Sequence, residues 1–193
     1  MHWAHCKTTD FSQDELQYAY QQLSPSRKDR IDRLRRQEDK VRSLAAELLV
    51  YQQLKEHWNI PSAKLHCKAT GQPYLPNHSL HVSISHCDEM VACAISQVPV
   101  GIDVERIRPV PFPLFRHICT PEELQHLLNN SAPPANQTLC HDENTLRLFF
   151  EIWTAKEAYF KKCGTGITDL KSVNTLSLQR QLYIVEDYFI QIV

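Results

Sequence analysis

The chain has 193 residues, of which 42% are apolar and 22% charged, and this composition excludes disordered, fibrous and collagen-like proteins. The formal net charge is −1, which does not favour nucleic acid or an anionic membrane as a partner of the whole chain. The longest apolar runs, such as residues 91–95, are far shorter than the ~20 residues of a membrane span, and residues 1–7 lack the pattern of a secretory signal. We therefore expect neither a membrane protein nor an exported one.

Seven cysteines are scattered along the chain, with no C-x-x-C pair and no set of four at the spacing of a zinc finger. Their odd number favours reduced thiols over a disulfide framework. Reduced thiols in turn predict a cytoplasmic protein.

Three helices are predicted in the first third of the chain. The capping box Ser12-Gln13-Asp14-Glu15 begins the first helix. Ser24-Pro25, with serine as the cap and proline in the first turn, begins the second, which we expect to reach about Arg36. A third helix, over residues 38–58, carries a core-facing apolar stripe. Residues 27–42 hold eight cations against four anions, so this stretch is distinctly basic.

The middle of the chain predicts β-strands at residues 81–85, 90–96 and 100–105. Three residues separate the last two strands, which suggests a tight antiparallel connection. Beyond them the sequence predicts a short helix at residues 120–128, a polar loop at 129–145 and a long helix at 144–163 that is stopped by Gly164. Two closing strands are predicted at residues 183–185 and 188–193. Helices before and after short strands predict an α+β fold.

Two carboxylates stand close together in the segment Gly101-Ile102-Asp103-Val104-Glu105. Successive side chains of a strand alternate between its faces, so Asp103 and Glu105 share one face, about 6.6 Å apart. At an effective dielectric constant of ~20 their charges would repel by roughly 2 kcal/mol. Water screens that repulsion if the face is solvated. Alternatively a divalent cation bridges the pair, and oxygen-only ligands favour Mg²⁺ over zinc.

A third carboxylate lies on the long helix near the end of the chain. At helical spacing Trp153, Glu157 and Lys161 share one face. Glu157 and Lys161 could form an ordinary surface ion pair, worth about 0.2–0.5 kcal/mol. Alternatively Glu157 completes the Mg²⁺ site, with a lysine beside it that suits an anionic substrate. Lys156, one position round the helix, is either a second cation or simply solvated.

Two further segments could bind phosphate. Arg27 and Arg30 are three residues apart on the basic helix and can present two guanidinium groups to one phosphate, although a solvated charged face is the simpler interpretation. Ser85 and His86 follow an alternating strand, where a hydroxyl and an imidazolium can both bind phosphate oxygens. Cations for phosphate together with three carboxylates for Mg²⁺ suit the transfer of a phosphoryl-linked group.

These segments resemble the 4′-phosphopantetheinyl transferases, specifically their monomeric, two-lobed, Sfp-type branch. The resemblance rests on Gly101-Ile102-Asp103-Val104-Glu105 and on Trp153-Thr154-Ala155-Lys156-Glu157-Ala158, with Lys161 following four residues after Glu157. The supporting segments are Ser24-Pro25 with Arg27 and Arg30, Arg42-Ser43-Leu44, Gly71-Gln72-Pro73-Tyr74 and Ile84-Ser85-His86.

The resemblance implies a pseudo-two-fold pair of α/β lobes with the active site in the cleft between them. We expect residues 1–98 to form an N-terminal lobe with the basic helix that binds coenzyme A, and residues 99–193 a C-terminal lobe with the metal-binding carboxylates. The implied activity is that of a holo-[acyl-carrier-protein] synthase. It transfers the 4′-phosphopantetheine of coenzyme A to a serine of an acyl or peptidyl carrier protein and releases adenosine 3′,5′-bisphosphate.

The resemblance also implies roles for individual residues. Asp103, Glu105 and Glu157 would hold Mg²⁺, or Mn²⁺ in its place. Glu157 would also accept the serine proton, and Lys161 would neutralise charge at the β-phosphate. The residues implied to bind coenzyme A are Arg27, Arg30, Arg42, Gln72, Ser85 and His86. Of these, His86 also counts as catalytic, and Gln72 stands where the family commonly has lysine.

The partners implied are coenzyme A and a carrier protein that is acidic and helical in this family. We hypothesise that Pro111-Phe112-Pro113-Leu114-Phe115-Arg116 forms an exposed apolar and basic docking patch, with core packing of Phe112 and Phe115 as the alternative. Two lobes in one chain make a monomer sufficient.

Two other functions remain open at this point. A Mg²⁺-dependent nucleotide or coenzyme A hydrolase would use the same carboxylates and cations, with water as the nucleophile. A non-enzymatic nucleic-acid-binding module would use the basic stretch 27–42 and bind with steep salt dependence, but it leaves the three carboxylates unexplained.

Overall fold

A computed structural model of the chain describes residues 1–130 and 139–193. The helices have these bounds: α1 (Gln13–Gln22), α2 (Pro25–Asp32), α3 (Gln37–Trp58), α4 (Phe112–Ile118), α5 (Pro121–Asn130) and α6 (Glu143–Cys163). The strands are β1 (His2–Lys7), β2 (His66–Cys67), β3 (Pro73–Tyr74), β4 (His81–Cys87), β5 (Met90–Ser96), β6 (Ile102–Arg106), β7 (Val110–Pro111), β8 (Leu139–Cys140), β9 (Gln181–Val185) and β10 (Tyr188–Ile192). None of the helices in these described ranges is long and apolar enough to cross a membrane.

Helix ends follow the local signals in the sequence. The Ser12 N–H donates to Glu15 Oε2 at 2.8 Å and the Glu15 N–H donates to Ser12 Oγ at 3.3 Å, which confirms the capping box that begins α1. Helix α6 ends at Gly164, whose φ of 69° is the left-handed conformation that glycine adopts most easily. Local chemistry therefore fixes where these helices begin and end.

The basic helix α2 differs from its prediction in two ways. It ends at Asp32 and not at Arg36, because Ile31 is buried whereas Arg35 and Arg36 are exposed, so further turns would bury little apolar surface. The Ser24 side chain does not cap the helix but donates its hydroxyl to the Leu65 carbonyl at 2.5 Å. The predicted side-chain cap is therefore wrong, although the helix does begin at Pro25.

The strands form two main antiparallel sheets. The first has the order β1-β5-β4-β3-β2, the second β6-β10-β9, and β7 pairs with β8 separately. The predicted antiparallel pairing of β5 with β6 is wrong, because β6 joins the second sheet and pairs with β10 near the end of the chain. Pro99, in the connection, has no N–H to donate to a hairpin ladder. Residues 97–101 instead carry the chain from one sheet to the other.

A seam of side-chain hydrogen bonds joins the two sheets. Ser83 Oγ accepts the Ile102 N–H at 3.0 Å, and Ser85 Oγ accepts the Val104 N–H at 3.2 Å. These N–H groups lie on the edge of β6 away from β10. Serine hydroxyls of β4 thus replace a backbone ladder along what we call the inter-sheet seam (Ser83, Ser85, Ile102 and Val104).

The molecule is built in four layers, helix, sheet, sheet and helix. Alternate residues of β5 explain the middle of this arrangement: Val91, Cys93 and Ile95 pack with α1 and α3. Met90, Ala92 and Ala94, on the opposite face, pack with the second sheet. Helix α6 covers the far side of that sheet, together with α4 and α5. The predicted α+β fold in two parts is confirmed.

The chain between α4 and α6 is more structured than predicted. Helix α5 continues to Asn130, β8 lies at Leu139–Cys140 and α6 begins at Glu143, so the ends of the predicted loop 129–145 are wrong, while residues 131–138 lie outside the described part. In the proposed docking patch Phe115 is buried in the core, with Phe112 and Leu114 packed partly against it. Since Phe115 faces the core, the patch is not an exposed apolar surface as a whole.

Candidate active site

The long helix α6 lies unusually close to the start of β6. A β-carbon at Gly101 would come within 1.8 Å of the Ala158 carbonyl oxygen, so only glycine fits at this position without a shift of the helix. The helix therefore lies directly against the strand that carries Asp103 and Glu105. Glu157 and Lys161 lie on the same stretch of this helix.

Three side chains from three elements meet at this point. Lys161 Nζ, from α6, lies 2.6 Å from Asp103 Oδ1 of β6 and 2.8 Å from Ser85 Oγ of β4. Ser85 Oγ donates to the same Asp103 oxygen at 2.8 Å. Residues that are far apart in sequence are thus joined in one polar cluster, as the candidate site required.

The three predicted carboxylates belong to the same electrostatic neighbourhood. Burial, and then the negative charge of Asp103, raise the pKa of Glu157 to about 7, while Lys161 lowers it. Burial also raises the pKa of Glu105, with Arg108 opposing this and Asp103 adding to it. Trp153 Nε1 donates to Glu157 Oε1 at 3.2 Å, so the first residue of the predicted helix face orients the second.

The donor chemistry of these residues fits a hard divalent cation. Asp103 is buried, and its Oδ2 has no hydrogen-bond partner among residues 1–130 and 139–193, which is an unfavourable state for a carboxylate oxygen unless a cation is present. Oxygen ligands are those that Mg²⁺ and Mn²⁺ prefer. The fit therefore rests on a buried acceptor of this chain as well as on the types of residue.

The three carboxylates do not converge on a single point. Within residues 1–130 and 139–193, no three His, Cys, Asp or Glu side chains stand close enough to hold a metal ion. Basic side chains explain this: Lys161 engages Asp103, and Arg108 Nη1 lies 2.8 Å from Glu105 Oε2. Arg108 was not predicted from the sequence, although its position three residues after Glu105 is the spacing of a local ion pair.

A cavity of about 490 Å³ opens beside this cluster. Basic and imidazole groups line it, namely Arg27, Arg30, His86 and Lys161. The Arg30 guanidinium lies over Gly71, where a β-carbon would come within 2.5 Å of Nη1. The cavity is large enough for a small anionic ligand, and its lining favours phosphate groups.

The two predicted phosphate-binding arginines differ in environment. Arg30 is exposed, whereas Arg27 is buried and its Nε lies 2.8 Å from Glu47 Oε2 of α3. The Tyr51 hydroxyl donates to the other Glu47 oxygen at 2.6 Å, and Arg27 Nη1 donates to Cys67 Sγ. Part of the Arg27 guanidinium group is therefore already hydrogen-bonded within the protein. This was not predictable from the sequence because Glu47 lies on a different helix.

His86 lines the cavity, and Arg42 lies close enough to act on its charge. Desolvation, and then the positive charges of Lys161 and Arg42, lower the pKa of His86 to about 4, although the ring remains exposed on one side. The free protein therefore presents a neutral imidazole near pH 7, not the imidazolium expected from the sequence. Arg42 bonds the Asp39 carboxylate and donates to the Asp88 carbonyl at 2.9 Å, and it does not line this cavity.

Gln72 connects the two halves of the molecule. Its Nε2 donates to the Lys161 carbonyl at 3.2 Å, and its Oε1 accepts from Lys68 Nζ at 2.8 Å. It lines a second, smaller cavity of about 300 Å³ beside the first. In this structure Gln72 therefore holds the end of α6, while its predicted contact with coenzyme A stays a prediction.

Lys156 is neither a second active-site cation nor a solvated side chain. It is completely buried on the inner side of α6, where Nζ lies 2.6 Å from Glu123 Oε2. Glu123 also accepts from the Thr120 N–H and from Thr175, so the ion pair ties α6 to two other segments. The sequence Thr120-Pro121-Glu122-Glu123 has the pattern of a capping box, and its last residue, Glu123, is the buried partner of Lys156.

Comparison with known proteins covers both halves of the chain. Residues 99–188 match the family model described as 4′-phosphopantetheinyl transferase superfamily, and residues 9–98 match the model described as 4′-phosphopantetheinyl transferase, N-terminal. The matched ranges include every residue of the candidate site. They meet between residues 98 and 99.

Curated relatives give the same indication. The 4′-phosphopantetheinyl transferase gsp of Aneurinibacillus migulanus is 34% identical over 131 residues, which are 67% of this chain and 51% of that protein. The 4′-phosphopantetheinyl transferase Sfp of Bacillus subtilis (strain 168) is 26% identical over 160 residues, 81% of this chain and 67% of that protein. The chain thus spans about half to two thirds of the length of these relatives.

Proposed function

Since the chain belongs to the 4′-phosphopantetheinyl transferase superfamily, in its Sfp-like branch, we propose that it transfers the 4′-phosphopantetheine of coenzyme A to a serine of a carrier protein. Adenosine 3′,5′-bisphosphate is the second product, and the reaction requires a divalent cation. The observation that carries the proposal is the contact of Lys161 with Asp103 and Ser85, directly beside a cavity lined with basic groups.

The phosphate groups of coenzyme A lie in the cavity of about 490 Å³ in this proposal. Arg30 is exposed and is suited to the 3′-phosphate of coenzyme A. Arg27, three residues before it, lines the same cavity. His86, which also lines the cavity, is neutral in the free protein and contacts the diphosphate when coenzyme A binds. The diphosphate then lies against Lys161.

In the chemical step the carrier serine Oγ attacks the β-phosphorus of coenzyme A. The bond from this phosphorus to the oxygen bridging towards the α-phosphate breaks, and adenosine 3′,5′-bisphosphate leaves with the bonding electrons. Glu157 takes the serine proton, directly or through a water molecule, since it lies within the electrostatic reach of Asp103 and Lys161 and is oriented by Trp153. Lys161 neutralises the charge that develops on the phosphate oxygens.

Asp103, Glu105 and Glu157 would hold the divalent cation. When bound, the cation supplies positive charge that neutralises the diphosphate and fixes its orientation. The unpartnered Oδ2 of Asp103 supports this assignment. The anionic substrate also gives Lys161 a new partner, so the Asp103 carboxylate becomes available for the cation.

The wider setting follows from the family and stays a proposal. The acceptor is an acyl or peptidyl carrier protein, the division into lobes falls between residues 98 and 99, and the enzyme acts as a cytoplasmic monomer. Arg116, which is exposed on α4, remains available for contact with an acidic carrier, whereas the buried Phe115 does not.

A labelling assay tests the proposal. Coenzyme A labelled in its pantetheine arm is incubated with the protein, Mg²⁺ and a small panel of carrier proteins, each paired with a carrier whose acceptor serine is replaced by alanine. Transfer places the label on the serine carrier and not on its alanine counterpart. Label released as free phosphopantetheine in both reactions would instead identify a hydrolase and overturn the proposal.

Two variants on the same helix sharpen the assay. Glu157→Gln removes the proposed base and should reduce turnover by about a hundredfold or more. Glu151→Gln makes the same chemical change on α6, at a residue outside the site, and should leave turnover within about twofold of the parent protein. Equal activity of the two variants would remove Glu157 from the catalytic residues.

A further inference from the structure

A buried glutamine lies directly opposite Asp103 in the second sheet. In the antiparallel pair of β6 and β10, Gln191 is the register partner of Asp103. Gly101 and Val193 exchange both of their backbone hydrogen bonds, each at 3.0 Å. Because such pairs alternate along an antiparallel ladder, Asp103 and Gln191 are a hydrogen-bonded pair too, with α-carbons about 5.5 Å apart. A glutamine side chain is long enough to span that distance.

Both side chains face the long helix α6. Gly101 lies on the same face of β6 as Asp103, and a β-carbon at that glycine would meet the Ala158 carbonyl of α6. From β10, Gln191 Oε1 lies 3.4 Å from Thr154 Oγ1 of the same helix. The Gln191 amide is thus enclosed between the second sheet and α6, on the side of the sheet that carries the site.

The two residues also hold two unpaired polar atoms of opposite kind. Within residues 1–130 and 139–193, three buried side-chain nitrogen or oxygen atoms have no hydrogen-bond partner. They are the acceptor Asp103 Oδ2, the donor Gln191 Nε2 and Trp58 Nε1, and the last belongs to a side chain packed against the core of the first half. Gln191 is 0% exposed, and a buried amide N–H without a partner destabilises the folded protein. An unpaired donor directly opposite an unpaired acceptor indicates a bond that forms in another state of the site.

The weak contact with Thr154 does not account for this amide. The Thr154 hydroxyl has one proton, and it donates to the Phe150 carbonyl at 2.7 Å. Its 3.4 Å contact with Gln191 Oε1 therefore adds little, and it leaves both protons of Nε2 available. A methionine would fill the same space without burying an amide, so packing alone gives no reason for glutamine here.

Resting on the proposed transferase function, we propose that Gln191 is a positioning residue, whose side-chain amide donates to the Asp103 carboxylate when coenzyme A and the divalent cation bind. In the free protein Lys161 Nζ holds Asp103 Oδ1 at 2.6 Å. When the diphosphate draws the ammonium away, the buried carboxylate loses a donor, and Gln191 Nε2 replaces it. A carboxylate has enough lone pairs to bind a cation and accept this bond together. Because the amide is neutral, Asp103 keeps its full charge for the cation while its orientation stays fixed.

Gln181 offers a matched control. It lies on β9 in the same sheet, is exposed and has Ile192 as its register partner. Gln181→Met therefore makes the same chemical change as Gln191→Met, away from Asp103.

The experiment compares Gln191→Met, Gln181→Met and the parent protein without a carrier protein, so that no turnover occurs. Electron paramagnetic resonance measures the Kd of Mn²⁺ at saturating coenzyme A, and thermal unfolding measures stability. Gln191→Met should raise the Kd of Mn²⁺ about tenfold or more. Its melting temperature should equal that of the parent protein or exceed it by about 2–4 °C, because an unpaired buried amide is removed. Gln181→Met should leave the Kd of Mn²⁺ within about twofold.

Two results would overturn the positioning role: a Kd of Mn²⁺ in Gln191→Met within about twofold of the parent value, or an equal rise in both variants. If Gln191→Met does not fold, NMR of the side-chain amides of the parent protein decides. The Gln191 amide proton signal should move downfield when Mg²⁺ is added to the coenzyme A complex, and an unmoved signal would overturn the role.

The outcome is separable from that of the transfer assay. A parent protein that binds Mn²⁺ but transfers no label would contradict the proposed function, while the Kd of Mn²⁺ in the variants would still decide the role of Gln191. A parent protein that binds no Mn²⁺ in the presence of coenzyme A would overturn the role of Gln191, since that role requires the cation.

Discussion

The Lys156 ammonium lies 2.6 Å from the Glu123 carboxylate, and both side chains are completely buried. Lys156 Nζ also donates to the carbonyls of Ile118, Leu170 and Val173 at 2.7–2.9 Å. One cation thus satisfies acceptors from three separate stretches of chain around α6. Because the charge is enclosed, the loss of either partner leaves the other charge without compensation.

Lys156→Met should therefore lower the free energy of unfolding by about 3–5 kcal/mol, since it keeps the length of the side chain but leaves Glu123 buried and unpaired. Denaturation in urea measures the change. Lys55→Met, the same replacement at an exposed position of α3, should change stability by less than about 0.5 kcal/mol. Similar losses in the two variants would show that the buried pair adds nothing beyond its surroundings.

Gly101→Ala should destabilise the protein by about 3 kcal/mol, because the new β-carbon meets the backbone of α6 at Ala158. The control is Gly166→Ala, where φ is +72° and the added β-carbon has no non-neighbouring atom of the described residues within 4 Å, so only backbone strain of about 1 kcal/mol is added. In the folded fraction Gly101→Ala should also reduce transfer, since α6 carries Glu157 and Lys161. Denaturant unfolding together with the transfer assay checks both effects, and a milder effect of Gly101→Ala than of Gly166→Ala would contradict the close approach.

Arg30→Ala should raise the KM for coenzyme A more than the KM for its 3′-dephospho form, because the proposed partner of this exposed guanidinium is the 3′-phosphate. We expect a tenfold or larger difference, about 1.4 kcal/mol. Arg27→Met should instead reduce stability, since it leaves Glu47 buried without its cation. Steady-state kinetics with both substrates tests the first statement, and equal effects of Arg30→Ala on the two would contradict it.

His86 should titrate in the free protein with a pKa of about 4, well below its ordinary 6.5, and should gain basicity when an anion binds. The negative charge of pyrophosphate or coenzyme A would offset Lys161 and Arg42, so the pKa should rise on binding. NMR titration of the imidazole measures both states. An ordinary value in the free protein would show that burial and the two cations do not lower this pKa, and no change with ligand would show that the bound anion does not act on the ring.

The same shift has a consequence for stability. Between pH 6.5 and pH 4 the unfolded chain binds a proton at His86 that the folded protein does not bind, so this group lowers the stability as the pH falls through that range. His86→Gln should therefore lose less stability than the parent protein between pH 7 and about pH 5. Unfolding curves at the two pH values provide the comparison.

Local features were predictable from the sequence because their causes are local. The capping box at Ser12 and the glycine stop at Gly164 depend on a few neighbouring residues, and both occur as predicted. Motif residues at strand and helix spacing also predicted Asp103 and Lys161 as site residues, and the structure brings these two into contact.

Features set by distant partners were not predictable in the same way. The pairing of β6 with β10 depends on the last residues of the chain, so the short connection after β5 was misinterpreted as a hairpin. The burial of Arg27 depends on Glu47, and that of Lys156 on Glu123, which lie 20 and 33 residues away in sequence. A single sequence does not show whether a charged side chain will be solvated or will form an ion pair with a distant segment of the chain.

The junction between the two sheets has an evolutionary consequence. A conventional backbone ladder has the same donors and acceptors whatever the side chains, so point mutations rarely loosen it. Here two serine hydroxyls supply the hydrogen bonds along the seam, beside the apolar packing between the sheets, and a single codon change can delete either hydroxyl. The rigidity with which one half of the molecule is held to the other is thus a heritable, adjustable property of this protein, open to selection independently of the sheets themselves.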